Sequence, residues 1–379
     1  MRQGLAERWT LYNTASETFS PQAGLCRRDK MLRLAEGIKG RRGMIQLRHV
    51  QQSLELRHTF RLARGASDTR QTLVLELEQD GIIGLGEAAP IERYGQDCDS
   101  AARAAESMAE RLTNPTAYES AANSVAVPGE AAAEAAMDMA ICDMAGKRLG
   151  VPLYELMGID ARQAPVTSFT IGMDTPEVVE AKVKETGDYE VLKIKLGSDD
   201  DRQILEAVRG VTDRPLRVDA NEGWTLEGAG ARLEWLESLG VELVEQPLPA
   251  GQIEEMRELR RVSPLPLFAD ESVHRATDIP RLAGAFDGIN IKLMKCGGLA
   301  EARRMIAVAR AHGMQVMLGC MVESSLAITA AAHLSPLVDH ADLDGNLLIK
   351  DDPFVGVTVR GGRLVLPEEP GLGVRPREE

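Results

Sequence analysis

From Lys193 onward, charged residues recur at a near-constant interval, each at the C-terminal end of a short apolar run just before a turn begins. Lys193 and Lys195 stand in Leu192-Lys-Ile-Lys195, Asp219 in Val218-Asp-Ala-Asn221, Glu245 in Val244-Glu-Gln-Pro247, Asp270 in Ala269-Asp-Glu-Ser272 and Lys292 in Asn290-Ile-Lys-Leu293. Starting at Lys193, the steps are 26, 26, 25 and 22 residues. A last step of 50 residues leads to Asp342 and spans two such units, with an apolar run Gln315–Cys320 between. A unit of this length holds one strand and one helix. Barrel enzymes carry their catalytic groups at the C-terminal ends of parallel strands. The spacing therefore predicts a βα repeat closed into a barrel, and the charges predict its active site.

At 379 residues the chain is long enough for a barrel of ~250 residues and a smaller second domain. A net charge of −14 argues against nucleic acid as the main partner, because phosphate binding needs clustered Lys and Arg. Five scattered cysteines without a Cys-x-x-Cys pair suit a reducing compartment better than a disulfide framework or a zinc site. No apolar run approaches the ~20 residues of a membrane span, and the N-terminus lacks the pattern of a secretion signal. The expectation is a cytoplasmic enzyme with no membrane partner. Gly-x-Ser-x-Gly, the P-loop and a strand-linked Gly-x-Gly-x-x-Gly are all missing, which removes the signatures of serine hydrolysis, nucleotide hydrolysis and dinucleotide binding.

Residues 1–43 show no sustained period and read as a loosely packed extension. Residues 44–160 read as an α+β unit. Strands at Gln46–Arg57, Thr72–Glu78 and Ile82–Glu87 come first, the last two joined by an Asp80-Gly81 hairpin turn, followed by helices at Ala101–Leu112 and Glu130–Leu149. The stretch Thr59–Ser67 reads as a long recognition loop. Residues 161–348 form the barrel, its eight strands marked by Ser168, Ile194, Asp219, Glu245, Asp270, Ile291, Leu318 and Leu343. Residues 349–379, with a Gly361-Gly362 hairpin, form a tail that returns to the first domain.

Barrel closure brings Asp219, Glu245 and Asp270 together. Three converging carboxylates without His or Cys nearby need a cation, and an all-oxygen set selects Mg²⁺, with Mn²⁺ second. Lys195 precedes the trio by one strand and Lys292 follows it by one, so the two amines flank the metal from opposite sides. Opposed bases beside a cation suit removal of a proton α to a carboxylate and its return to the other face. Asp342 and Asp344 are expected on one face of the last strand, placed to hold a cationic group such as an α-ammonium. Arg64, in the Thr59–Ser67 loop, is suited to pair with a carboxylate at the far end of a substrate.

These motifs together resemble the enolase superfamily in its muconate-lactonizing subgroup, and within it the dipeptide epimerases. The resemblance covers about Ile45 to Leu366 and rests on Lys193-Ile-Lys195, Asp219-Ala-Asn221, Glu245-Gln-Pro247, Asp270-Glu-Ser272, Asn290 to Gly298 and Asp342-Leu-Asp-Gly345. It implies an α+β cap on a modified (β/α)₇β barrel and Mg²⁺ on the three acids. It also implies acid–base roles for Lys195 and Lys292, contact of Lys193 with the substrate carboxylate, and Thr170 and Met321 as site walls. The implied substrate is a dipeptide, the context of Arg64 favours Ala-Glu from murein peptides, and a homo-oligomer is compatible with the family. Muconate-type cycloisomerisation, o-succinylbenzoate synthesis and a metal-dependent peptide-binding barrel without catalysis are the competing expectations.

Overall fold

The computed structural model describes residues 10–13, 43–62, 65–198 and 200–378. An antiparallel sheet comes first, in the order β1 (Thr10–Asn13), β2 (Gln46–Leu62), β3 (Gly65–Gln79) and β4 (Ile82–Ala88). Most of the N-terminal extension lies outside the described residues. Asp80 and Gly81 both take positive φ, 55° and 76°, so the β3–β4 hairpin has the I′-type twist that an Asp-Gly pair favours. The stretch read as a long loop after Arg57 is instead the far end of the β2–β3 hairpin. Pairing resumes at Phe60↔Ser67 after an irregularity that starts at Glu55. The sequence hides this because Thr59–Ser67 carries no regular alternation of polar and apolar residues.

Helices α1 (Cys98–Arg111), α2 (Ala121–Ser124) and α3 (Ala131–Leu149) follow, with one further short helix at Leu153–Leu156. Asp97 opens α1 with a capping box, its carboxylate accepting from Ser100 N and the Ser100 hydroxyl accepting from Asp97 N. The alanine-rich α3 is buried almost all round and lies directly on β4. A side chain at Gly84 or Gly86 would put its Cβ 1.9 Å from the carbonyl oxygen of Ala140 or Ala136, so this close approach requires glycine.

Eight parallel strands form the second sheet: β5 (Ser168–Ile171), β6 (Val191–Lys195), β7 (Leu216–Asp219), β8 (Val241–Glu245), β9 (Leu267–Ala269), β10 (Gly288–Lys292), β11 (Gln315–Gly319) and β12 (His340–Asp342). A parallel bridge Thr167↔Ala341 brings the two edges together, and Ser168 Oγ donates to Asp342 Oδ1 at 2.6 Å across the same seam. The result is the expected barrel with a strand meander and helices as its cap. Leu243, Phe268 and Met317 form a separate buried cluster of strand side chains.

Cap and barrel are knit by buried polar contacts. The Glu87 carboxylate, at the end of β4, accepts from Ser324 N, Ser324 Oγ and Ala327 N at the start of the helix Ser325–Ala332. A carboxylate complements the unsatisfied N–H groups of a helix start. Asp138 of α3 accepts from Ala300 N in the same way. The C-terminal segment joins the cap where Leu153 N donates to Gly371 O and Leu372 N to Asp143 Oδ1, both at 2.8 Å.

Candidate active site

Strand register aligns the charged residues in rows at one end of the barrel. Lys195 is the cross-strand partner of Asp219, and Asp219 of Glu245, while Lys292 and Asp342 both pair with Gly319. In-register parallel strands present equivalent positions side by side. Asp219, Glu245 and Asp270 each offer an oxygen within 4.8 Å of the others, at 0%, 0% and 2% exposure. Asp270 stands one residue beyond β9 and still joins the group.

Four ammonium groups meet these acids. Lys195 Nζ lies 2.6 Å from Asp219 Oδ2, and Lys292 Nζ 2.8 Å from Asp270 Oδ2. Lys193, only 2% exposed, reaches Glu245 at 2.8 Å, Asp342 at 2.6 Å and Asp219 at 3.2 Å. Lys295 binds the second oxygen of Asp270 at 2.5 Å and also donates to the carbonyls of Asp270 and Val273. Asn290 Nδ2 holds Glu245 Oε1 at 2.8 Å, and the Gln246 amide oxygen accepts from Asp270 N and Ser272 N.

The charges do not balance evenly. Burial pushes the Glu245 carboxyl up to about 8, helped by repulsion from Asp219 and only partly offset by Lys193. Burial would likewise raise Asp219 and Asp270, but lysines pull both below the usual carboxylate range, Lys195 and Lys193 acting on Asp219 and Lys292 and Lys295 on Asp270. Burial alone would lower Lys292, yet the carboxylates of Asp270 and Glu245 outweigh it and hold the ammonium above its ordinary range. Glu245 is thus an acid short of positive charge inside an all-oxygen cluster. That donor set fits a hard divalent cation.

A cavity of about 400 Å³ opens above the cluster between cap and barrel. Lys195, Lys292, Asp270, Thr170, Met321, Asp342 and Asp344 all line it. Asp219, Glu245 and Lys193 pack against this floor without lining the cavity. Lys195 and Lys292 stand on β6 and β10, four strands apart in a sheet of eight, and so face each other across the mouth. Asp342 ends β12, whereas Asp344 lies past the strand with φ −120° and ψ 5°, opening a single 3₁₀ turn. The pair therefore does not share a strand face as expected, yet both carboxylates line the cavity. Thr170 N donates to Asp344 Oδ2 at 2.5 Å. Burial and the Asp342 charge push the Asp344 carboxyl up to about 7. From the cap come Arg70, Arg93 and Tyr94. Arg64 lies outside the described residues. A larger groove of about 610 Å³ adjoins at Thr170 and Leu348 but is lined by neither the acid trio nor Lys195 or Lys292.

Lys295, Asn290 and Gln246 stand inside the sequence motifs without an assigned role, and Arg70 was not singled out. Lys295 carried one usable signal, standing one helical turn after Lys292. The amides and Arg70 are common residue types whose roles exist only once the strands are paired.

A capped parallel barrel with acids and lysines interleaved on its rim is the architecture of a two-domain barrel enzyme. Residues 44–158 match the mandelate racemase/muconate lactonizing enzyme N-terminal domain, and residues 174–379 match the domain described as enolase C-terminal domain-like. The chain is 44% identical to an L-Ala-D/L-Glu epimerase of Bacteroides thetaiotaomicron, over 88% of each chain. It is 40% identical to an L-Ala-D/L-amino acid epimerase of Pedosphaera parvula, over 88% of this chain and all of the relative. A crystal structure of a dipeptide epimerase from Cytophaga hutchinsonii, complexed with Mg and D-Ala-L-Val, superposes with a TM-score of 0.84 at 26% identity, covering 89% of this chain and 97% of the other. The chain belongs to the enolase superfamily and, within its muconate-lactonizing group, to the dipeptide epimerases, which are isomerases.

Proposed function

We propose that the chain interconverts L-Ala-L-Glu and L-Ala-D-Glu by inverting the α-carbon of the C-terminal residue. The observation that carries this reading is the opposition of Lys195 and Lys292 across one cavity, with Asp342 and Asp344 to one side. In this reading the cap, residues 44–160, supplies recognition and the barrel, residues 161–348, supplies the chemistry.

Asp219, Glu245 and Asp270 would hold Mg²⁺, with Mn²⁺ second, and the bound ion supplies positive charge for the substrate carboxylate as the α-proton leaves. Lys195 and Lys292 are the acid–base pair. One, as free amine, takes the α-proton onto Nζ. The other, as ammonium, delivers its proton to the opposite face. The carbon inverts, the two lysines exchange protonation states, and the proton count is unchanged. Lys193 braces the carboxylate end, its ammonium tying Glu245 and Asp219 to Asp342. Asp342 and Asp344 receive the N-terminal ammonium, and a buried carboxyl raised to about 7 is a group that gains from a cation. The Thr170 N–H orients Asp344, and Met321 walls the same space. From its sequence context, Arg64 is assigned to the substrate side-chain carboxylate.

The Bacteroides relative supports glutamate as the C-terminal residue, and such a substrate suits cytoplasmic breakdown of murein peptides. The Cytophaga complex with D-Ala-L-Val supports a second reading, in which the C-terminal residue is apolar. Muconate-type cycloisomerisation and o-succinylbenzoate synthesis are disfavoured, because substrates without an ammonium bring no cation to the raised Asp344 carboxyl beside Asp342.

The test is L-Ala-L-Glu in D₂O with Mg²⁺, followed by proton NMR. The expected result is loss of the Glu α-proton signal together with appearance of the D-epimer. Lys195→Ala and Lys292→Ala are each expected to suppress exchange from one stereoisomer far more than from the other. Exchange that survives from both isomers in both variants overturns the two-lysine assignment. Bound Mg²⁺ without exchange of any dipeptide would favour a peptide-binding barrel.

A further inference from the structure

The cavity has four cationic side chains on its described walls, and three are already engaged by acids. Lys195 meets Asp219, Lys292 meets Asp270, and Arg93 meets Glu222. Arg70 is the fourth. Its Nε is buried without a hydrogen-bond partner, and among the described residues no carboxylate lies within ion-pair distance of it. Burial lowers its pKa, with the more distant Glu92 charge acting the other way. The side chain is half-buried, and an Nε–H shielded from water without an acceptor is costly to keep unless an anion arrives.

Strand pairing aims this side chain at the cavity. Arg70 on β3 is the cross-strand partner of Leu54 on β2, so both project from the same face of the ribbon. Leu54 packs with Val322 of the barrel and Ile349 just past it, which fixes that face as the one turned to the mouth.

The tetrahedral α-carbon then leaves one direction free. In the reading proposed above, its hydrogen points to a lysine, its carboxylate to the acid trio and its amide nitrogen towards Asp342 and Asp344. The remaining substituent, the side chain of the C-terminal residue, must turn to the cap wall where Arg70 waits. We infer that Arg70 is a specificity-determining residue whose guanidinium receives the side-chain carboxylate of the substrate's C-terminal residue. This inference rests on the epimerase reading and adds to it a second arginine besides Arg64.

The experiment compares kcat/KM for L-Ala-L-Glu, the near-isosteric L-Ala-L-Gln and the apolar L-Ala-L-Leu in wild type, Arg70→Gln, Arg70→Lys and Arg64→Gln. Loss of a charge-assisted pair predicts that Arg70→Gln lowers the value for L-Ala-L-Glu by about 100-fold, mostly through KM. The preference for Glu over Gln should collapse while L-Ala-L-Leu changes less than about threefold. Arg70→Lys should restore part of the loss, since lysine keeps the charge but not the fork. Activity on L-Ala-L-Leu also reports that each variant is folded. An Arg70→Gln protein that keeps wild-type Glu-over-Gln preference overturns the inference alone, and an equal loss on all three dipeptides does the same. A wild type that epimerises L-Ala-L-Leu but leaves L-Ala-L-Glu untouched overturns the glutamate reading together with it.

Discussion

Lys295 shows how a residue outside the chemistry holds the site. Its ammonium takes one oxygen of Asp270 and three backbone carbonyls, those of Asp270, Val273 and Asn290. Asp270 is thereby left with a single oxygen facing Lys292. Replacing Lys295 with methionine keeps the bulk but strands these acceptors in a buried place. Breaking a buried ion pair from one side costs about 3–5 kcal/mol. Lys295→Met is therefore expected to lower urea-derived stability by about 3 kcal/mol, and a loss under 1 kcal/mol would show that Asp270 holds its place without it. The acids and the Lys193, Lys195 and Lys292 side chains were legible in the sequence because a repeat put them at equivalent strand ends. Lys295, Asn290 and Gln246 were not, because they act through their neighbours and no periodicity marks them. Asp344 was expected at the cavity and does line it, but was misplaced on the strand, since an Asp-x-Asp spacing looks the same in a strand and at a strand-to-turn exit.

Strands were the easiest elements to read, because each barrel strand is a short apolar run that ends at a charge. The hairpin β2–β3 was cut short for the opposite reason, since its far end shows no regular alternation in the sequence. Glycine positions in β4 were unreadable as packing devices, although they decide how closely α3 approaches. The expected cost follows from the distances. An alanine at Gly86 would bring its Cβ to 1.9 Å from Ala136 O and 2.8 Å from Ala136 C, both backbone atoms that cannot swing aside. Overpacking costs about 1–3 kcal/mol where side chains can adjust. Gly86→Ala is accordingly expected at or beyond about 3 kcal/mol of destabilisation. Gly251→Ala meets nothing within 4 Å and serves as the control, expected within about 0.5 kcal/mol of wild type. Thermal unfolding of the two variants side by side checks this. Similar shifts in both would mean that α3 can slide away from β4.

At the scale of the whole molecule, three segments far apart in sequence meet at His333. The ring follows the helix Ser325–Ala332, accepts from Tyr154 N through Nδ1 at 3.2 Å and faces Leu372 O through Nε2 at 3.1 Å. Those partners fix a neutral tautomer with the proton on Nε2, because the Nδ1 position must accept. Burial lowers the pKa of this ring to about 4. Unfolded, a histidine titrates near ~6.5, so between these values the unfolded chain binds a proton that the native chain refuses. Stability from this group is complete above about pH 6.5 and drains away as pH falls towards 4. Burial at Glu323 and Asp138 raises those carboxyls to about 8 and about 7, which slopes stability the other way over an overlapping window. The total curve therefore cannot isolate His333, but a difference can. The gap in urea-derived stability between wild type and His333→Gln is expected to narrow by about 2–3 kcal/mol between pH 6.5 and 4.5, at 1.36 kcal/mol per pKa unit. A gap that stays constant across that range would mean that the ring titrates alike in folded and unfolded chains, and that barrel, linker and tail are not joined through a neutral imidazole.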